Sequence, residues 1–80
     1  MKIYNFDGKK NICGARVREA RKKLGLSQGD LAAKLQVSGV IIEKNSISRI
    51  ESGARFVADY ELLVLSNVLN VSPSYLLGIE

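Results

Sequence analysis

Apolar residues recur along this chain at helical spacing, in short stretches that are mostly closed by glycine. The opening segment, MKIYNFDGKKN, has apolar Ile3, Tyr4 and Phe6 and then Asp7-Gly8, a turn signal. Val17, Ala20 and Leu24 fall on one stripe, with Ile12 and Cys13 leading in, and predict a first helix over about 12–24. Asn11 reads as its N-cap and Gly25 as its stop. The second helix has the best marked start. Ser27 is the cap, Asp30 stands three residues on as an approximate capping box, and Leu26 and Leu31 form a hydrophobic staple. Its stripe continues through Ala32 and Leu35, and Gly39 suits the residue just past an end near Ser38.

Val40, Ile41 and Ile42 carry strand propensity, but no partner strand is visible, so they read as a buried connector. The third helix, about 44–52, has Ile47 and Ile50 as one thin apolar edge and Gly53 as its end. Its cap is either Asn45, the better cap residue, or Glu43, which makes the helix longer. A fourth helix over about 59–69 sets Leu62, Leu65, Ser66 and Leu69 on one face. Tyr60, Leu63, Val64 and Asn67 align on another. Asp59 near its start favours the helix dipole. Ser72, Pro73, the staple pair Val71 and Leu76, and Gly78 mark a short fifth helix. The expected fold is all-α, a compact five-helix bundle over 12–80 preceded by an arm at 1–11.

The third helix poses the functional question. Beside its thin apolar edge lie Lys44, Asn45, Ser46, Ser48 and Arg49. Such a face is either ordinary surface or built for a groove of hydrogen-bonding groups. The major groove of B-DNA admits one α-helix; Asn matches adenine and Arg matches guanine in bidentate geometry. Two helices joined by a turn, the second polar outside, suggest a helix-turn-helix made by helices two and three.

Charge supports this. All twelve Lys and Arg and five of the eight acids lie in residues 1–55, whereas 56–80 hold three acids and no base. A basic front with an acidic rear suits a polyanion docked on one side. The chain has one cysteine and no histidine, which rules out a disulfide within the chain and a His/Cys zinc site. Cys13 reads as a small, part-buried filler. No apolar run approaches the roughly 20 residues of a membrane span, and no signal-peptide core is visible. The expectation is a cytoplasmic, nucleoid-associated protein without cofactor or metal.

The segments GARVREARKKLGLSQGDLAAKL, NSISRIESGARF and LSNVLNVSPSYLLG together resemble the Cro/cI-type helix-turn-helix (XRE) family, over about 12–78. The resemblance implies a lambda-repressor-like domain that binds double-stranded DNA as a transcriptional regulator, with repression the expected outcome. It implies that Gln28 touches phosphate where the second helix crosses the backbone. It places Lys44, Asn45 and Ser46 at the groove-facing start of the recognition helix, and Ser48 and Arg49 on its next turn. Ser52, Gly53 and Arg55 match the loop that meets phosphates. Arg21 and Glu51 match a pair that ties the first helix to the third. The sequence departs from the family at two places: Leu35 and Ile47 are about five positions further apart than in the compact motif, and Glu43 stands where many relatives have a small capping residue.

Other readings compete. Arg16, Arg18, Lys22 and Lys23 read mostly as a solvated face. A protein-interaction module on the same fold, an antitoxin-like partner or adaptor, is the alternative function. An enzyme is not expected, since there is no His, no Gly-rich phosphate loop and no carboxylate pair with an evident pocket. The second apolar side of the fourth helix calls for a cover. A homodimer matched to a palindromic operator is favoured slightly over the chain's own Ile3, Tyr4 and Phe6.

Overall fold

The computed structural model describes residues 6–80. Within them the chain forms α1 (Gly14–Lys23), α2 (Gln28–Val37), α3 (Lys44–Ser52), α4 (Asp59–Leu69) and α5 (Pro73–Leu76). Val40 to Ile42 pair with no strand among the described residues, and the β-type bridge there joins Phe6 to Lys9. The all-helical expectation therefore holds.

Local chemistry sets each boundary. At α2 the capping box is complete: the Asp30 N–H donates to Ser27 Oγ at 2.9 Å and the Ser27 N–H to Asp30 Oδ2 at 2.9 Å. Hydrogen bonding to the carboxylate from the Ser27 N–H, and secondarily from the Ser27 hydroxyl, holds the Asp30 carboxyl below its ordinary value. The helix ends in a Schellman motif. The Gly39 N–H donates to Gln36 O and the Val40 N–H to Leu35 O, with Gly39 in the left-handed region at φ +91°. Glu43, not Asn45, occupies the cap of α3, and its side chain makes no cap bond. Asn45 thus sits inside the first turn, free of the competing role.

At α1 the expectation needs correction. The helix begins at Gly14, with Cys13 at the cap position. Asn11 still serves the start, because its Oδ1 accepts from the Gly14 N–H at 2.8 Å. Leu24 falls past the helix end and is exposed, as is Ile12; the inward position one turn back from Gly25 belongs to Arg21.

The core comprises Cys13, Val17, Ala20, Leu31, Leu35, Ile42, Ile47, Ile50, Leu65, Leu69 and Leu76. It draws on all five helices and on the connector. Within the connector only Ile42 is fully buried; Val40 is half-buried, and Ile41 is exposed. The longer α2–α3 link is therefore pinned by one inward side chain. Burial of large aliphatic side chains such as Ile47 and Ile50 is worth roughly 1.5–3 kcal/mol each, enough to fix α3 against the body along its thin edge. Cys13 is fully rather than partly buried, and burial pushes its thiol pKa up, away from reactivity.

One close approach positions α3 against α1. A Cβ on Gly14 would stand 2.2 Å from Ile50 O and 2.9 Å from Glu51 O. Only a glycine lets the start of α1 lie on the backbone of the third helix. Asn11 reinforces the contact, with its Nδ2 donating to Ile50 O at 3.0 Å and to Arg55 O at 2.8 Å.

Candidate nucleic-acid interface

The polar side of α3 is built from its cap outward. With Ile47 and Ile50 turned inward, Lys44, Asn45, Ser48, Arg49 and Ser52 are exposed and Ser46 is half-buried. The ion pairs of the described residues are Arg21–Glu51, Lys23–Glu19 and Arg55–Glu61, and none uses Lys44 or Arg49. The Ser52 hydroxyl donates to Arg49 O at 3.1 Å. The face thus offers two cations, an amide and hydroxyls to a partner.

Behind it a buried ion pair locks the three helices together. Arg21 Nε donates to Glu51 Oε2 at 2.7 Å and Arg21 Nη2 to Glu51 Oε1 at 3.0 Å, a bidentate pair. The third edge of the guanidinium reaches Leu26 O at 2.8 Å, just before α2. The hydrogen bond to Glu51 raises the Arg21 pKa still further. The expected α1–α3 link is present, and it extends to α2. Gln28 Nε2 donates to Glu51 Oε1 at 3.2 Å, so the half-buried Gln28 amide is held in one orientation at the start of α2. Gln28, Arg18, Ser48 and Ser52 border a common polar depression whose floor is Arg21 and Glu51.

Arg55 is placed differently from the family-derived expectation. Its Nη1 donates to Glu61 Oε1 at 3.0 Å and to Phe56 O at 3.0 Å, and its Nη2 to Glu61 Oε2 at 3.2 Å. Glu61 also accepts from the Ala58 N–H at 3.0 Å, capping α4. Burial pushes the Glu61 carboxyl up, but the Arg55 guanidinium and the Ala58 N–H together outweigh this and leave its pKa low. The loop after α3 therefore spends its one basic side chain on internal structure. No helical spacing links residues 55 and 61 in sequence, so nothing local signalled this pair. Asn11, read as a simple cap, proves to be a clamp on α3 and its following loop.

On α4, Tyr60 and Leu63 are exposed at 61% and 54%, whereas Val64 is half-buried against the core. The second apolar side is thus narrower than its spacing implies. Of the arm residues considered as its cover, Ile3 and Tyr4 lie outside the described residues. Phe6 is largely exposed and bonds back to Lys9.

Two helices joined by a turn, locked by a buried ion pair, with the second exposing an uncommitted polar face, define a helix-turn-helix domain. The helix-turn-helix family matches residues 17–76, and the chain belongs to it, in the Cro/cI (XRE) branch. It is 42% identical over 65 residues to the HTH-type transcriptional regulator ImmR of Bacillus subtilis (strain 168). That match covers 81% of this chain and 47% of the relative, so the chain spans about half the length of the curated relative it matches. Among solved structures it is similar to the P22 c2 repressor protein in complex with a synthetic operator. There the TM-score is 0.73 and the identity 31%, over 88% of this chain and 98% of that one. It is also similar to the restriction-modification controller protein C.AhdI of Aeromonas hydrophila, with a TM-score of 0.68 and 34% identity over 80% and 86% of the two chains. These neighbours place the fold in the lambda-repressor-like class.

Proposed function

We propose that this chain binds double-stranded DNA sequence-specifically as the reading domain of a transcriptional regulator, with repression the expected outcome. The observation that carries the proposal is the uncommitted outer face of α3, held out by Ile47 and Ile50. Asn45 and Arg49 contact base edges in the major groove, while Lys44, Ser46, Ser48 and Ser52 divide between bases and phosphates. Gln28, fixed by Glu51, presents its carboxamide to the backbone at the other edge of the groove. Arg55, already paired with Glu61, shapes the loop and lends little charge to a phosphate. The kinship with a repressor crystallised on a synthetic operator and with a transcriptional regulator supports the reading.

Residues 12–80 form the DNA-binding domain in this proposal and 1–11 an arm. A two-fold dimer, touching through Tyr60 and Leu63 of α4, would match a palindromic operator. Such a regulator works in the cytoplasm on the nucleoid; no helix of the described residues is long and apolar enough to cross a membrane. The test is selection of bound duplexes from a random pool at fixed salt. Enrichment of one site establishes base readout, and a palindrome establishes dimeric binding. Tight capture of a protein partner with no salt-dependent DNA binding would replace this reading with the interaction-module one.

A further inference from the structure

The Asp7-Gly8 turn places a lysine where the loop after α3 has no unpaired cation. Asp7 and Gly8 both have positive φ, +50° and +77°. Their tight turn closes with reciprocal bonds, Phe6 N–H to Lys9 O at 2.6 Å and Lys9 N–H to Phe6 O at 2.9 Å. The Lys10 N–H then donates to Gly53 O at 2.8 Å, tying the segment after the turn to the end of α3. The side chains of Lys9 and Lys10 border different depressions. Lys10 goes one way, with its Nζ 5.6 Å from the Phe56 ring centroid, into a cleft shared with Val57, Asp59 and Leu62. Lys9 goes the other way. Its stem lies over Gly53, so close that a Cβ there would meet Lys9 Cγ at 3.0 Å and Cδ at 3.1 Å. Lys9 shares a depression with Gly14, Ala15 and Glu51, and Glu51 also floors the Gln28–Ser48–Ser52 depression. Neither lysine is in an ion pair among the described residues.

We propose that Lys9 is a DNA-backbone anchor, held by the turn at the C-terminal end of α3 so that its ammonium meets a phosphate beside the groove that α3 occupies. This deepens the DNA-binding reading and rests on it. Lys9 supplies the charge that Arg55 has given to Glu61, and with Gln28 it brackets the recognition helix between two backbone contacts. Because phosphates carry no sequence information, Lys9 sets affinity and register, not base preference.

The test uses the full chain, a random-sequence 20-bp duplex and a duplex enriched from a random pool, each titrated across salt. Lys9→Gln keeps the Cβ–Cγ–Cδ stem over Gly53 and removes the charge. It should lower the salt slope by about one, so that its deficit against the parent narrows roughly threefold between 50 and 200 mM salt, equally on both duplexes. Lys9→Arg should keep the slope, and Lys10→Gln, whose side chain lies by Phe56 in a separate cleft, should leave it unchanged. An unaltered slope in Lys9→Gln overturns the inference, and so does an equal loss in Lys10→Gln, which would mean diffuse charge. An equal loss in Lys9→Arg would mean packing alone and overturns it too. In each of these cases, retained site preference that Arg49→Ala abolishes leaves the DNA-binding reading intact. A parent protein that binds neither duplex removes both.

Discussion

The three ion pairs of the described residues form a burial series that tests how the bundle is held. Arg21 and Glu51 side chains are 9% and 4% exposed, Arg55 and Glu61 are 28% and 9%, and Lys23 and Glu19 are 72% and 58%. Replacing each carboxylate by its isosteric amide changes charge with little change in volume. Glu51→Gln leaves the Arg21 guanidinium buried with neutral partners. Losing a partner of a buried pair costs about 3–5 kcal/mol, and the amide oxygen retains one bond, so a loss near 3 kcal/mol is expected. For 80 residues that is a fall in Tm of roughly 15–20 °C. Glu61→Gln, with a more solvated partner, should cost about 1–2 kcal/mol through lost charge-assisted bonds. Glu19→Gln should stay within about 0.5 kcal/mol. Urea melts monitored by circular dichroism give all three values from midpoints at constant slope. A Glu51→Gln loss no larger than that of Glu19→Gln would refute the claim that the Arg21–Glu51–Gln28 network locks the three helices.

The remaining expectations are briefer. Gly14→Ala forces a Cβ to within 2.2 Å of Ile50 O, which is backbone and cannot turn aside, so it should destabilise by several kcal/mol, far beyond the few tenths of a typical surface change; a melt close to the parent's would disprove the close approach. Because Glu61 is held below its ordinary value, its contribution is complete above that value and is lost as pH falls through 4.5 and below. Stability should decline there, and Glu61→Gln should flatten the decline in pH-dependent melts. Leu63→Asp should abolish a dimer or cooperative DNA binding without unfolding the chain, since Leu63 is 54% exposed; unchanged mass and cooperativity in ultracentrifugation and titration would exclude that face of α4. Gln28→Ala should weaken all duplexes by a similar factor with almost no change in salt slope, since the residue is neutral.

What was legible in the sequence was what depends on neighbours a few positions away. The Ser27–Asp30 box, the Gly39 and Gly53 ends and the Ile47–Ile50 edge all act within a turn or two, and each is present. The irregular connector was legible because Val40 to Ile42 had no strand to pair with, but its burial was not: Ile42 alone is fully buried and Ile41 is exposed. What escaped were bonds between distant segments. Asn11 to Ile50 and Arg55, Arg55 to Glu61 and Lys9 over Gly53 depend on how the loops fold back, which periodicity does not encode. Leu24 keeps the apolar spacing but lies one residue beyond the last turn of α1, where the helical face no longer directs it inward. The polar face of α3 follows from the Ile47–Ile50 spacing, whereas the Arg21–Glu51 pair and the Gln28 and Arg55 contacts follow only from the family likeness.

The central claim is that the outer face of α3 reads base pairs. Its most direct measurement is selection from one random duplex pool, at one salt concentration, by the parent chain and by Asn45→Ala and Arg49→Ala. The account predicts one enriched site for the parent. Each variant should lose preference at its own base positions only, with a penalty of roughly 1–3 kcal/mol against the parent site. Identical profiles for all three proteins, with only a uniform loss of affinity in the variants, would contradict it.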